Sequence, residues 1–194
     1  MEGVCADVTG EEAGVSETGA DGGPDARVTD SREFTPEADT YIAENDKPTN
    51  FGGAPDFQVG DGFAMYGRKA YLRFNVLGLS AGAKVTDATL TILCMDPATV
   101  TGGSIFTFLP TMDAWAENEP TWLKPLEGGK LDGNPLDTLR PVQIGTTYSF
   151  TNLASAISGN GRVTFIIESP NVDGAAYSSK EGAAPPRLRV TYVR

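Results

Sequence analysis

Histidine is absent from this chain of 194 residues, and cysteine occurs only twice, at Cys5 and Cys94. The lack of histidine excludes Ser-His-Asp and Cys-His catalysis, as well as metal sites that contain histidine. Two cysteines cannot build a disulfide framework. Cys94 lies on the apolar side of a predicted strand, so we expect a small buried side chain there, whereas Cys5 is available to pair between chains.

The sequence also lacks a long apolar run and an excess of positive charge. No stretch approaches the roughly 20 apolar residues that a membrane-spanning helix needs. The formal net charge is −11, which disfavours sequence-independent binding of nucleic acid because that binding depends on clustered cations. Residues 1–32 hold eight of the 26 acidic and two of the 15 basic residues, which leaves a net charge of −5 for residues 33–194.

Residues 1–32 are rich in Gly, Ala, Asp, Glu, Thr and Ser and contain no aromatic residue. Such a segment cannot bury enough apolar surface to offset its ordering entropy, so we predict a disordered acidic tail or linker. The first five residues are not an apolar signal segment. The chain is therefore either intracellular or a mature form with an added Met. Because tails of this kind often precede exported β-domains, we expect the second, a secreted protein that is extracellular or at the cell surface.

Residues 33–194 are predicted to form one all-β domain. Apolar and polar residues alternate in residues 69–76, 87–94, 163–167 and 187–192, as expected for half-buried strands. Turn residues recur about every ten residues and no long helical pattern intervenes, which favours an antiparallel β-sandwich of jelly-roll type. One short helix is predicted at residues 153–157, with Thr151 or Asn152 as its N-cap.

Eight short motifs run in order through this domain. They are ADTYI (38–42), TNFG (49–52), QVG (58–60), AYLRFN (70–75), LSAGAKVTDATL (79–90), WAENEPTW (115–122), YSSKE (177–181) and PRLRVTY (186–192). Together they resemble the DNRLRE domains, which overlap carbohydrate-binding module family 96. The usual FDVT element appears here as SFTN at residues 149–152, and residues 124–145 match no motif of the family.

The resemblance implies a jelly-roll β-sandwich, export and a non-catalytic role. Such domains are often appended to polysaccharide-degrading enzymes or large surface proteins, and some bind an acidic polysaccharide such as alginate. We therefore expect an extracellular polysaccharide-binding domain. The alternative is a structural or adhesive subunit of a cell-surface or filamentous assembly, which would self-associate through exposed edge strands or through Cys5.

Five basic residues are candidates for a strip that binds an acidic glycan, because arginine forks match carboxylates bidentately. They are Arg68, Lys69, Arg73, Lys180 and Arg187. Tyr66 joins them as an aromatic candidate, since loops at the ends of a sandwich collect binding residues. The alternative for Arg73 is a partly buried ion pair with Glu181 that sets strand register and touches no ligand.

Two tryptophans, Trp115 and Trp122, are either sugar-stacking platforms or plugs at one end of the sandwich. The plug is the favoured interpretation. Asp113, Glu117 and Glu119 lie near them, and paired carboxylates are what glycoside hydrolysis needs. Carboxylates in such a loop are ordinary surface chemistry, so we expect no enzyme.

Calcium is the one cofactor expected for a sandwich of this type, since this cation takes several oxygen ligands from loops. The candidate ligands are Asp46, Asp56, Asp61 and Asp173. None has EF-hand spacing. Solvated turn residues are the alternative for each, because Asp is favoured in turns.

Overall fold

A computed structural model describes residues 28–61 and 67–194. In chain order the strands are β1 (Thr29–Phe34), β2 (Ala38–Ala43), β3 (Asp56–Val59), β4 (Arg68–Val76), β5 (Lys84–Asp96), β6 (Gly103–Pro110), β7 (Gly128–Lys130), β8 (Asp137–Leu139), β9 (Thr147–Phe150), β10 (Gly161–Glu168), β11 (Ala175–Ser178) and β12 (Arg187–Val193). Two single 3₁₀ turns accompany them, at Glu44–Asp46 and Leu153–Ala156.

The strands form two antiparallel sheets. Sheet I has the order β1-β12-β5-β11-β3, with β9 also beside β5. Sheet II has the order β2-β4-β10-β6-β7, with β8 also beside β6. This architecture confirms the predicted all-β sandwich. No described helix is long and apolar enough to cross a membrane.

The main core lies between the sheets and follows the period-2 pattern of the strands. In β5, Leu90, Ile92 and Cys94 point inward and are at most 1% exposed. Leu72 of β4 and Phe165 of β10 meet them from sheet II. Cys94 is therefore the buried side chain that its position in the sequence predicted, and burial raises the pKa of its thiol.

A second apolar cluster lies on the outer face of sheet II. Residues 111–127, here named the cover segment, pack across this face and bury it. The cluster consists of Ala38, Ile42, Tyr71, Phe106, Phe108, Trp115 and Ile166, with Trp122 and Leu126 packed against it. The sequence predicted one buried face for β4, but Tyr71 and Arg73 on its other face are also buried. Burial under the cover raises the pKa of Tyr71 to about 12.

Sheet I begins four residues before the predicted domain boundary at residue 33. Thr29 to Arg32 belong to β1, which pairs with β12 from Thr29 opposite Val193 to Phe34 opposite Leu188. Residues 1–27 of the predicted tail, with Cys5, lie outside the described residues. The predicted helix at residues 153–157 is a 3₁₀ turn, and Asn152 before it makes no capping bond with its side chain.

Candidate functional site

An open groove of about 500 Å³ lies at one end of sheet II. Its walls include Arg68 and Lys69 at the start of β4, Glu168 at the end of β10 and Phe106 of β6. Trp122 of the cover segment and Glu44 close the other side. The groove thus combines aromatic surface with both signs of charge.

Strand register places the charged groups of the groove. Lys69 of β4 lies directly opposite Glu168 of β10, and their Nζ and Oε1 atoms are 3.1 Å apart. Lys130 of β7 reaches the other carboxylate oxygen, Oε2, at 2.9 Å, and its ammonium also lies 4.2 Å from the Phe106 ring centroid. Burial opposes ionisation of Glu168, but the hydrogen bonds from the two lysines outweigh it and lower the pKa of Glu168.

Trp122 is partly exposed, and its position depends on a close approach to Gly67. A Cβ atom added at Gly67 would lie 2.8 Å from Cη2 of the indole, closer than real Cβ contacts. The Glu44 amide donates a hydrogen bond to the Gly67 carbonyl at 2.8 Å, and the Leu123 amide donates one to the Lys47 carbonyl at 3.2 Å. The first bond fixes Gly67 beside Glu44, and the second holds the cover segment at Leu123 against the loop at Lys47.

Arg73 does not reach this groove. It is 7% exposed, and its guanidinium lies 4.9 Å from the Trp115 ring centroid, beneath the cover segment. Its Nε donates to Glu37 at 3.1 Å, and the Trp115 carbonyl accepts a further bond from it. The predicted ion pair between Arg73 and Glu181 is therefore wrong in its partner. Arg73 is nevertheless a buried side chain in a structural ion pair, as that interpretation expected.

The register of β2 against β4 explains this choice of partner. Ala38 lies opposite Arg73, so the preceding residue, Glu37, is brought beside the guanidinium. Glu37 also accepts two hydrogen bonds from Arg162, at 2.8 and 3.1 Å. The hydrogen bond from Arg162, ahead of the opposing effect of burial and the charge of Arg73, lowers the pKa of Glu37.

Lys180 is likewise engaged in a structural network. Its Nζ lies 2.9 Å from Glu117 of the cover segment and also contacts Glu181. Its amide donates to the buried Asp39 at 2.8 Å, and the Asp39 amide donates to Glu117 at 2.7 Å. Burial raises the pKa of Asp39 to about 7 and outweighs the hydrogen bond from the Lys180 amide, which lowers it. The network ties the cover segment to β2.

Arg187 lies in β12 of sheet I, opposite Thr91, and is exposed. The five predicted cations therefore do not form one strip. The structure brings Arg68 and Lys69 together in the groove and places Arg73, Lys180 and Arg187 elsewhere. Tyr66 lies outside the described residues, so its role stays a prediction.

Residues 30–192 match the family model of carbohydrate-binding module family 96. The chain belongs to this family. It is a carbohydrate-binding domain, and the resemblance read from its motifs is confirmed. No curated protein sequence matches the chain.

The four aspartates proposed as calcium ligands do not converge in the module. Asp46 accepts a hydrogen bond from Thr49 at 2.6 Å, Asp56 one from Gln58 at 3.0 Å, and Asp173 one from the Thr99 amide at 2.7 Å. Asp61 is exposed at the groove. Asp46 and Asp56 thus bond to residues close to them in the chain, whereas Asp173 bonds to the distant Thr99.

One group of three carboxylates lies within mutual reach in residues 28–61 and 67–194 of the module: Asp39, Glu117 and Glu181. The Lys180 ammonium bonds two of them, and a backbone amide bonds the third. The Lys180 ammonium therefore occupies two of the three carboxylates, but it offsets only one negative charge of the group. The four aspartates therefore do not share one ligand set of the kind that calcium takes, and calcium binding stays a prediction.

The two tryptophans of the module have different roles. Trp115 is 5% exposed, and its indole nitrogen donates to Thr164 of β10 at 3.3 Å. It plugs the outer face of sheet II rather than an end of the sandwich. Trp122 lines the groove.

Sequence reasoning missed Glu44, Phe106 and Glu168 as groove residues. Phe106 lies in a segment that was recognised as a strand, but nothing in one sequence indicates that its outer face borders a groove. Glu168 reaches the groove only through the pairing of β10 with β4, which has no local signal.

Proposed function

We propose that this module binds a polysaccharide chain in the groove beside Trp122, without altering it chemically, outside the cell. The observation that carries the proposal is the partly exposed indole of Trp122 beside Arg68, Glu44 and Glu168 in an open groove. Pyranose C–H faces pack on aromatic rings, and charged side chains form strong hydrogen bonds with hydroxyl groups. Family membership supplies the ligand class.

Non-catalytic binding is supported by the chemistry of Glu168. A glycosidase needs one carboxylic acid whose pKa is raised, so that it donates a proton to the leaving oxygen. The pKa of Glu168 is lowered instead, because two lysines hydrogen-bond its carboxylate. Glu168 therefore stays ionised near neutral pH and is a hydrogen-bond acceptor.

An open groove binds a single chain weakly, since much of the ligand stays in water. Useful retention then depends on tethering to a larger protein or on several modules acting together. Export is proposed from the family resemblance and from the acidic composition of residues 1–32.

Affinity electrophoresis of the full chain tests the proposal. Gels contain xylan, glucomannan, hydroxyethylcellulose, laminarin, alginate, polygalacturonate or no glycan. We expect retardation in at least one glycan gel and its loss in Trp122→Leu, a variant that keeps an apolar side chain at this position of the cover segment. The matched control is Leu123→Ala, a change at an exposed residue next to Trp122. This variant should retain binding. Migration that no glycan changes would overturn the proposal, as would release of reducing ends or unsaturated sugars.

A further inference from the structure

We infer that the groove selects an uncharged, hydroxyl-rich glycan over a polyuronate. This inference rests on the proposed binding function. The inference comes from the charges that line the groove and from where the remaining cations lie.

Carboxylates outnumber cations in the groove. Glu44, Asp61 and Glu168 line it, against Arg68 and Lys69, so these five lining residues carry a formal charge of −1. A polyuronate carries one carboxylate on every sugar. Each sugar placed in the groove would bring that charge close to the carboxylates of the walls, and like charges a few ångströms apart repel in partly excluded water.

The groove cations are largely committed already. Lys69 is bound to Glu168 at 3.1 Å, and the nearby Lys130 is bound to the same carboxylate at 2.9 Å. Arg68 makes no ion pair with a described residue. One arginine matches one carboxylate bidentately, whereas a chain of uronates needs such a partner at successive positions.

The cations that would supply those positions lie outside the groove. Arg73 is bonded to Glu37 beneath the cover segment, and Lys180 is bonded to Glu117 and Glu181. Arg187 lies in sheet I. Residues 33–194 as a whole, with the groove included, carry a net charge of −5, which repels a polyanion at long range and does not affect a neutral chain.

The same groups suit a neutral glycan. Glu44 and Glu168 offer carboxylate oxygens that accept hydrogen bonds from sugar hydroxyls, and Arg68 offers donors to hydroxyl and ring oxygens. Trp122 offers a flat apolar surface for the C–H face of a pyranose ring. Aromatic surface beside mixed-sign polar groups therefore matches a polymer that is rich in hydroxyl groups and has no charge.

The test compares full-length protein in gels of neutral glycans (xylan, glucomannan, hydroxyethylcellulose, laminarin) with gels of polyuronates (alginate, polygalacturonate), at low and at physiological salt. We expect a neutral glycan to retard the protein equally at both salt concentrations. This retardation should be lost in Trp122→Leu, and the polyuronate gels should cause none. Salt independence matters because contacts between exposed charges are screened by salt.

The double variant E44Q/E168Q tests the role of the carboxylates directly. It changes the formal charge of the groove from −1 to +1 and keeps the shape of both side chains. We expect weaker retardation by the neutral glycan and new, salt-sensitive retardation by alginate or polygalacturonate. Thermal unfolding of both proteins controls for loss of folding, and Arg187→Ala controls for a charge change outside the groove.

Two outcomes overturn the inference and remain distinguishable. Polyuronate retardation of the wild-type protein that exceeds any neutral retardation, and is lost in Arg68→Ala, would show an acidic-glycan site and leave the proposed binding function intact. Retardation by no glycan would remove the binding function itself.

Discussion

The two sheets are built from similar strands, but their outer faces differ: the face of sheet II is packed against the cover segment, whereas outward residues of sheet I reach solvent. On sheet I, Thr89 and Thr91 of β5 are half-buried, and Arg187 and Arg189 of β12 are exposed. On sheet II, the outward residues Tyr71, Arg73 and Ile166 lie beneath the cover segment, and Tyr71 is only 3% exposed. Alternation along a strand therefore shows which side chains leave the main core, but it does not show whether they reach solvent.

The cover also changes what an ionisable residue does. Among described residues, the two buried ionisable side chains of charged type are Asp39 on β2 and Arg73 on β4, both in sheet II. Arg187, a similar residue on sheet I, is exposed. Removing a buried, ion-paired arginine beneath the cover segment lowers the free energy of unfolding, whereas removing an exposed arginine changes it little.

The largest expected effect is the loss of Trp115, which anchors the cover segment on sheet II. Trp115→Ala removes a buried indole and should lower the free energy of unfolding by about 3–5 kcal/mol. The measurement is urea unfolding followed by circular dichroism. Leu123→Ala, at a side chain 69% exposed in the same segment, is the control and should change stability by no more than about 0.5 kcal/mol. A loss of no more than about 0.5 kcal/mol in Trp115→Ala would mean that Trp115 does not stabilise the fold.

Arg73→Met against Arg187→Met compares the two outer faces directly. Removing the buried guanidinium leaves the Trp115 carbonyl without its donor and Glu37 with only Arg162, so we expect a cost of about 2–3 kcal/mol. Arg187→Met should stay within about 0.5 kcal/mol of wild type. The same unfolding experiment measures both, and an equally large loss at Arg187 would contradict the distinction between the faces.

A pH-dependent effect is expected from Asp39, which binds the cover segment through Glu117 and Lys180. Its folded-state pKa of about 7 lies above the unfolded value, so the folded protein binds the proton more tightly. The stability due to this proton is fully present below about pH 4 and is lost as the pH rises to about 7, with a slope of at most about 1.4 kcal/mol per pH unit.

Asp39→Asn should flatten this slope, because an amide does not titrate and still accepts the Lys180 amide hydrogen bond. The free energy of unfolding of both proteins is compared between about pH 5 and about pH 8. Asp173→Asn is the control: hydrogen bonds from Thr99 lower the pKa of Asp173, so its contribution is lost only as the pH falls below its ordinary range. An unchanged slope in Asp39→Asn would show that Asp39 is ionised throughout.

The smallest effect on stability is expected at Gly67, where the cover segment meets the groove. A methyl group there would meet Cη2 of Trp122 at 2.8 Å, and because the indole is partly exposed it can shift outward at a cost of about 1 kcal/mol. Gly67→Ala should therefore alter tryptophan fluorescence and weaken glycan retardation. Gly53→Ala, where no atom lies within 4 Å of the added Cβ, is the matched control. Retention of full glycan binding in Gly67→Ala would argue against Trp122 as the stacking surface.

Much of the fold was predictable because it follows from local pattern. The alternation of β4, β5, β10 and β12 identified the inward residues correctly, and Cys94 is buried as expected. The cover segment was not predictable as a cover, since residues 111–127 have no period-2 or helical pattern. Its packing depends on an apolar outer face that exists only after β4, β10 and β6 have paired.

The candidate site was predictable in part. Arg68 and Lys69 line the groove, whereas Arg73 and Lys180 are committed to Glu37 and Glu117. The sequence suggested Glu181 for Arg73 because both lie in family motifs. Strand register decided otherwise, since pairing β2 with β4 places Glu37 at the guanidinium.

By itself the sequence determined the class of the protein: an acidic all-β domain without histidine chemistry, carrying the motifs of a carbohydrate-binding family. These properties depend on composition, on period-2 alternation and on short motifs, all of which are local along the chain. The tertiary structure alone decided which cations are free to meet a ligand. Ion pairs such as Lys69–Glu168 and Arg73–Glu37 join residues that are distant in sequence, and only the register of paired strands brings their charges within a few ångströms.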